Sequence, residues 1–232
     1  MNASFLRQGL GAAIVAAIVW LAAWATPPAA ACPFCTAPQP TLAERREAAE
    51  IVALVQWLAT RANHEHMRVL KLLKSPQDSH PQQLELPAEA ALRTSGMWLA
   101  FGRPSTSGDG ALDWQTEAVN ELSFAYVARL PPTRQPAHER LKYFCRYLES
   151  PDRLVADDVY AEFGRAPFDE VARLAADLPF ESMRGWLHDA GVSELRKGFY
   201  AMALGLATGA SDREANAKCL RKVLERPSSD FR

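Results

Sequence analysis

The chain of 232 residues lacks an excess of either charge, with 26 lysines and arginines against 27 aspartates and glutamates and a net charge of -1. That balance excludes the basic footprint with which proteins neutralise nucleic-acid phosphates, and no nucleic-acid partner is expected. Histidine and cysteine are scarce, at five and four, so a metal centre or a dense disulfide framework has few residues to draw on. Serine-nucleophile elbow, phosphate-binding loop, dinucleotide-binding glycine pattern and HExxH helix are all missing, so no catalytic residue and no cofactor is expected from motifs. Beyond residue 31 no apolar run is long enough to span a bilayer.

What is present starts at the amino end. Arg7 precedes an apolar run from Leu10 to Ala25, and Thr26-Pro27-Pro28 and Ala29-Ala30-Ala31 follow. This is the order of a secretory signal peptide over residues 1–31. The run is shorter than the roughly 20 residues of a membrane-spanning helix, and two prolines close it. Cleavage after Ala31 and an extracytoplasmic mature protein, periplasmic or secreted, are expected; an uncleaved anchor is the competing outcome. Cleavage there leaves Cys32 first, the position that lipoprotein processing modifies, although Ala29 stands where a bulky aliphatic residue usually precedes a lipidated cysteine. Membrane association is therefore expected only through an uncleaved signal or a lipid on Cys32.

Cys32-Pro33-Phe34-Cys35 is the one motif with a chemical reading. Thiol–disulfide chemistry of the thioredoxin kind needs a strand just before the pair, to set the first thiol at a helix N-terminus. Haem attachment needs histidine at position 36, which is threonine. A disulfide staple is the leading reading for Cys32 and Cys35, and an extracytoplasmic thiol/disulfide or electron-transfer accessory is its rival. Cys145 and Cys219 sit in helical apolar stripes and read as buried structural thiols. His64 and His66, two apart around Glu65, would share one face of a strand and are weak candidates for a metal; a solvated turn is the plainer expectation. Asp157-Asp158 and Asp169-Glu170 are expected in the first turns of helices, where carboxylates meet the macrodipole favourably. Tyr160, Trp186 and Tyr200 read as packing aromatics.

The mature chain divides by pattern. Thr41-Leu42-Ala43-Glu44 has capping-box spacing and predicts a helix over residues 44–50. Short apolar pieces then follow at Ile51–Leu58, Met67–Leu73, Gln83–Leu86, Met97–Phe101 and Leu112–Glu117, separated by clusters of Ser, Pro, Asp and Gly. Five short strands in about 70 residues suit a small OB-like sheet over residues 32–130. The order of cysteine pair, apolar strand, Val69–Leu73 and Trp98–Phe101 resembles the start of netrin-type modules. A helix is predicted from Asn120 to Leu130.

The Pro-rich stretch 131–136 reads as a linker, and residues 137–232 as wholly helical. Stripes such as Leu141/Phe144/Cys145/Leu148 and Phe168/Val171/Leu174/Leu178 keep three-and-four spacing. Pro167 and Pro179 are expected at first helical positions, Ser193 as a cap and Ser211–Glu214 as a second capping box. Val159-Tyr160-Ala161 and Phe199-Tyr200-Ala201 recur at an offset of 40, suggesting a HEAT-like helical solenoid segment, expected either to be short of one or more repeats or to have its end covered by a partner. The fold class expected is α+β, and the function a non-catalytic protein-interaction or scaffold role with a protein partner.

Two stretches carry a resemblance. Ala31–Pro38 with Thr41-Leu42 and Val55-Gln56-Trp57, and Arg140–Phe144 with Leu148-Glu149, Tyr160–Phe163 and Ala166-Pro167-Phe168, are similar to exported, uncharacterised proteins of planctomycete bacteria. The resemblance implies export and a helical carboxyl half, and brings no activity with it.

Overall fold

The computed structural model describes residues 39–77, 79–88, 96–106 and 110–225, all within a unit running from Pro38 to Arg232. The signal segment, Cys32 and Cys35 lie outside the described residues. Helix α1 spans Leu42–Ala48. The capping box is formed: the Glu44 N–H donates to Thr41 Oγ1 at 3.3 Å and the Thr41 N–H to Glu44 Oε2 at 2.9 Å. The helix starts two residues earlier than expected, because the box places Leu42 at its first position.

Five strands follow: β1 (Ile51–Arg61), β2 (His64–Lys74), β3 (Gln83–Pro87), β4 (Met97–Pro104) and β5 (Leu112–Val119). They form one antiparallel sheet in the order β3-β2-β1-β4-β5, with β3 and β5 at its edges. β1 and β2 are joined by the two-residue turn Ala62-Asn63, both at positive φ (48° and 62°). Such hairpin turns usually recruit glycine, whose absence hid this one in the sequence. His64-Glu65-His66 is consequently the start of β2 and not a turn. Register shifts at Val52/Ala53, Leu54/Val55 and Trp57/Ala59 interrupt the β1–β2 ladder, and irregularities of this kind increase local twist.

Both faces of the sheet are apolar at its centre, which is why β1 reads as a continuous run. Val52, Leu99 and Phe101 join the core shared with the helices. Ala53, Val55, Met67, Leu84, Leu86 and Ala100 form a second cluster, flanked by half-buried Trp57, Trp98 and Trp114. Gly102 pairs with Trp114 across β4 and β5, and a Cβ there would lie 2.8 Å from the indole ring.

Helix α2 (Glu121–Ala128) is capped by the Asn120 side chain, which accepts from the N–H groups of Leu122 and Ser123. Six more helices follow: α3 (Ala137–Phe144), α4 (Arg153–Arg165), α5 (Phe168–Arg173), α6 (Phe180–Trp186), α7 (Glu194–Leu204) and α8 (Ala210–Leu224). Pro136, Pro167 and Pro179 precede α3, α5 and α6 as N-caps, with Pro167 and Pro179 one position outside the helix they were expected to begin. Their carbonyls accept the first helical bonds, from Arg140, Val171 and Met183 at 3.2, 3.2 and 3.0 Å. Ser193 caps α7 as predicted, accepting from the Arg196 N–H. Ser211 does not cap α8, which begins at Ala210 behind Gly209 without a side-chain cap.

The molecule is thus mixed α+β, a five-stranded antiparallel sheet followed by several helices. One core runs from Leu42, Val52 and Phe101 through Tyr126 and Phe144 to Cys219, and the stretch 131–136 lies inside the same unit. Within the helical part, Leu141/Phe144/Leu148, Val171/Leu174/Leu178 and Tyr200/Ala203/Ala207 are all buried and recur at offsets of 30 and then 29 residues. These triplets begin successive helix pairs α3–α4, α5–α6 and α7–α8. The offset of 40 noted in the sequence instead joins the second helix of the first pair to the first helix of the third. Those helices touch through Phe163 and Phe199, whose ring centroids are 5.0 Å apart.

Gly102→Ala is expected to destabilise the fold by about 1–3 kcal/mol, as over-packing does, and Trp114→Leu in the same chain to recover most of the loss. Urea denaturation of the single and double variants measures both.

Candidate functional site

α4 carries Asp158 and Glu162 one turn apart, so both carboxyls leave one face of the helix. Both are buried. The expectation that Asp157-Asp158 lies in a first turn is corrected here: α4 begins at Arg153, and only Asp157 faces outward, where it pairs with Arg153 and Arg196.

Buried carboxyls need donors. Asp158 Oδ1 accepts the Leu42 N–H at 2.7 Å, and Oδ2 accepts the Tyr126 hydroxyl at 2.6 Å. Leu42 is the first residue of α1, whose N–H has no intrahelical partner. Burial pushes the Asp158 carboxyl up from 3.8 to about 6, against the pull of these two hydrogen bonds. Burial and the facing Asp158 also hold the Tyr126 phenol far above its ordinary value, which keeps it a donor.

Glu162 faces the mouth of a cleft. Its Oε2 accepts from Arg140 Nη2 in a short ion pair. Burial raises its pKa, while the nearby Thr41 hydroxyl and the Arg140 charge pull it back. Arg165, at the end of α4, pairs with Glu44 and donates to the Gln39 carbonyl. The cleft measures about 300 Å³ and is lined by Arg140, Glu162, Arg165 and Glu44 together with smaller residues, among them Ala137 and Ala166. Elements distant in sequence converge there: α1, the 131–136 stretch, α3, α4 and the start of α5.

α1 is fixed on its other side as well. Arg45 pairs with Glu117 of β5 at 2.6 Å and lies over the Phe101 ring. Arg46 donates to the carbonyls of Val127 and Leu130 at 3.0 and 2.9 Å, where a cation meets the C-terminal end of α2 favourably.

The residues singled out in the sequence fall elsewhere. His64 is exposed beside the Ala62 carbonyl, and His66 lies 3.5 Å from Glu85. Between them Glu65 turns to the other face, where its buried Oε2 accepts from Trp57 Nε1 and Thr60 Oγ1 at 2.6 and 2.7 Å. Among the described residues no three His, Cys, Asp or Glu side chains come together to hold a metal ion. Asp169 and Glu170 do occupy a first turn, that of α5, and Glu170 accepts from the His138 N–H, which ties α5 to α3. Burial first, and then Asp177, pushes the Cys145 thiol up to about 12, so it stays protonated and unreactive at neutral pH. Cys219 is buried 3.5 Å from His188 Nε2. Tyr200 is fully packed, stacks near Trp186 and donates to Glu149 at 2.6 Å.

No family model, curated protein or solved structure matches the chain. The sequence reading missed Asp158, Glu162 and Arg140 as a group because they lie in helices that α1 brings together. Acids spaced four apart beside valine and phenylalanine on α4 were the signal available.

The raised pKa of Asp158 fixes a sign. Its contribution is fully present below the unfolded value near 4 and is lost as pH rises to about 6, because ionisation is easier in the unfolded chain. Asp158→Asn removes that dependence. The stability advantage of wild type over Asp158→Asn should shrink by about 2 kcal/mol between pH 4 and 7, read from denaturation curves of both proteins across that range.

Proposed function

We propose that the chain is an exported, non-catalytic protein-interaction or scaffold protein. In this reading an OB-like sheet domain, stapled or tethered at Cys32 and Cys35, is followed by a HEAT-like helical array that presents a surface to a protein partner. The observation that carries it is the recurrence of three buried triplets at offsets of 30 and 29 residues, inside the roughly 20–50-residue span of repeat architectures in general and shorter than the about 40–47 residues of HEAT units. Contacts of α3 with α4 and α5, and of α6 with α7 and α8, support stacking of neighbouring pairs. Large apolar side chains stand exposed on these helices: Phe168 at 62%, Leu195 at 40% and Met202 at 38%. The Ala-rich leader read in the sequence and the resemblance to exported planctomycete proteins support export. No described helix is long and apolar enough to cross a membrane.

Photo-cross-linking in the producing cell, with a benzophenone side chain at Phe168, Leu195 or Met202, tests the reading. A discrete protein adduct at these positions, absent when the probe stands at Arg153, is expected, and it should survive replacement of Cys32 and Cys35 by serine. The reading is overturned if the purified exported protein turns over a disulfide substrate and Cys32→Ser abolishes that turnover.

A further inference from the structure

The sheet ends on two unlike edges. At one, β3 is five residues long, starts two positions after Pro81 and closes on Pro87. Shortness and proline guard an edge against pairing, because proline brings no N–H to a neighbour. At the other edge β5 has eight residues, none of them proline or lysine, and it runs along β4 from Leu112 to Val119 without a register shift. Of its two acids, Glu117 is drawn to Arg45, which leaves Asp113 as the one charge guarding the strand. None of the eight residues is buried, whereas Leu99, Ala100, Phe101 and Gly102 on β4 are. Among the described residues β5 pairs as a strand with β4 alone. Alternate N–H and C=O groups of β5 therefore face away from the sheet.

A groove of about 480 Å³ borders the consecutive β5 residues Trp114 to Glu117, and Gln39, Pro40 and Arg45 where the chain enters and forms α1. Successive side chains of a strand leave opposite faces. Trp114 stands on the face of its cross-strand partner Gly102, whose Cβ would meet the indole ring, while Glu117 lies opposite Leu99 on the helix side. A cavity that touches both kinds of residue runs along the edge of the sheet and not over either face. The second lining decides the occupant. Gln39 and Pro40 share the groove with β5, so it admits one extended segment. The edge of a second folded copy would bring its own Gln39 and Pro40 to the same place. A volume of this size lies in the range of ligand sites and takes a few residues of chain.

We propose that the outer edge of β5 takes up an extended segment of a protein partner as a sixth strand. This rests on the protein-interaction reading above and names the mode of recognition, main-chain hydrogen bonds to a sheet edge. Along such a segment the N–H and C=O groups of alternate residues turn to one side, which is the order the edge of β5 presents. Side chains of the added strand fall in turn beside Trp114 on one face and beside Glu117 and Arg45 on the other. The segment that fits alternates apolar and polar residues.

The probe is the blocked peptide acetyl-Thr-Val-Thr-Val-Thr-amide, titrated into the purified, isotope-labelled protein while backbone amide exchange along β5 and β3 is followed by NMR. In the free protein the β5 amides that point to β4 should be protected and the alternate ones should exchange freely. The peptide should slow those alternate amides saturably, by about tenfold or more, and leave β3 unchanged. The same peptide with every amide N-methylated keeps its side chains, loses its donors and should give no protection. The proposal is overturned if the peptide slows no β5 amide up to its solubility limit, if it slows them without alternation, or if the N-methylated peptide does as well. It is overturned too if the alternate amides are already slow in the free protein, because the edge is then taken; sedimentation that shows a dimer would assign it to a second copy. If the helix probes capture a partner while β5 stays unprotected by the peptide, the edge assignment fails and the interaction reading stands.

Discussion

The carboxyl of Asp158 is the point on which the arrangement of sheet and helices turns. It is taken out of water into a junction of three helices, where it accepts the first N–H of α1 and the hydroxyl of Tyr126 from α2. Asp158 and Tyr126 are both buried, at 7% and 0% exposure, so solvent has little access to the pair. Removing any one of the three leaves a buried polar group unpaired, so the contacts stand or fall together. The upward shift of Asp158 to about 6 measures how costly the position is to ionise. What the cost secures is the placement of α1, a helix of seven residues too short to persist alone.

Once α1 is placed, the rest of the junction follows from its side chains. Arg45 and Arg46 are adjacent in sequence and leave the helix in different directions, one to Glu117 on the edge strand β5 and one to the last carbonyls of α2. Glu44 caps the helix from inside and also meets Arg165 at the end of α4. A single short helix therefore touches the sheet, α2 and the helical pairs, and the cleft bearing Arg140 and Glu162 opens beside its first turn. The packing explains why the core is continuous across the Pro-rich stretch 131–136.

Local features of this fold were legible in the sequence where a residue acts on its immediate neighbours. Thr41 and Glu44 predicted the opening helix, all five strand segments were marked by apolar runs between turn residues, and Ser193 identified itself as a cap. Features resting on tertiary contact were not. Ala62-Asn63 gives no glycine signal, yet it makes a hairpin turn because the long flanking strands hold both residues at positive φ. Asp158 reads as a surface acid next to Asp157 until α1 and Tyr126 are brought against it. The offset of 40 residues rests on the aligned Tyr160 and Tyr200, whereas the buried triplets lie 30 and 29 residues apart, with Phe144 and Leu174 at one position and Ala203 at the third. A small residue at the third position leaves burial as what the three triplets share.

If the Asp158 carboxyl locks α1 into the core, amide hydrogen exchange under native conditions reads the lock at a single proton. The Leu42 N–H would ordinarily fray with its helix end; bound to Asp158 it should exchange only on global unfolding, with the same protection free energy as Val55 in the central strand. Rapid exchange of Leu42, at a rate near that of an unprotected amide while Val55 remains protected, would mean that Asp158 does not hold α1 in the core.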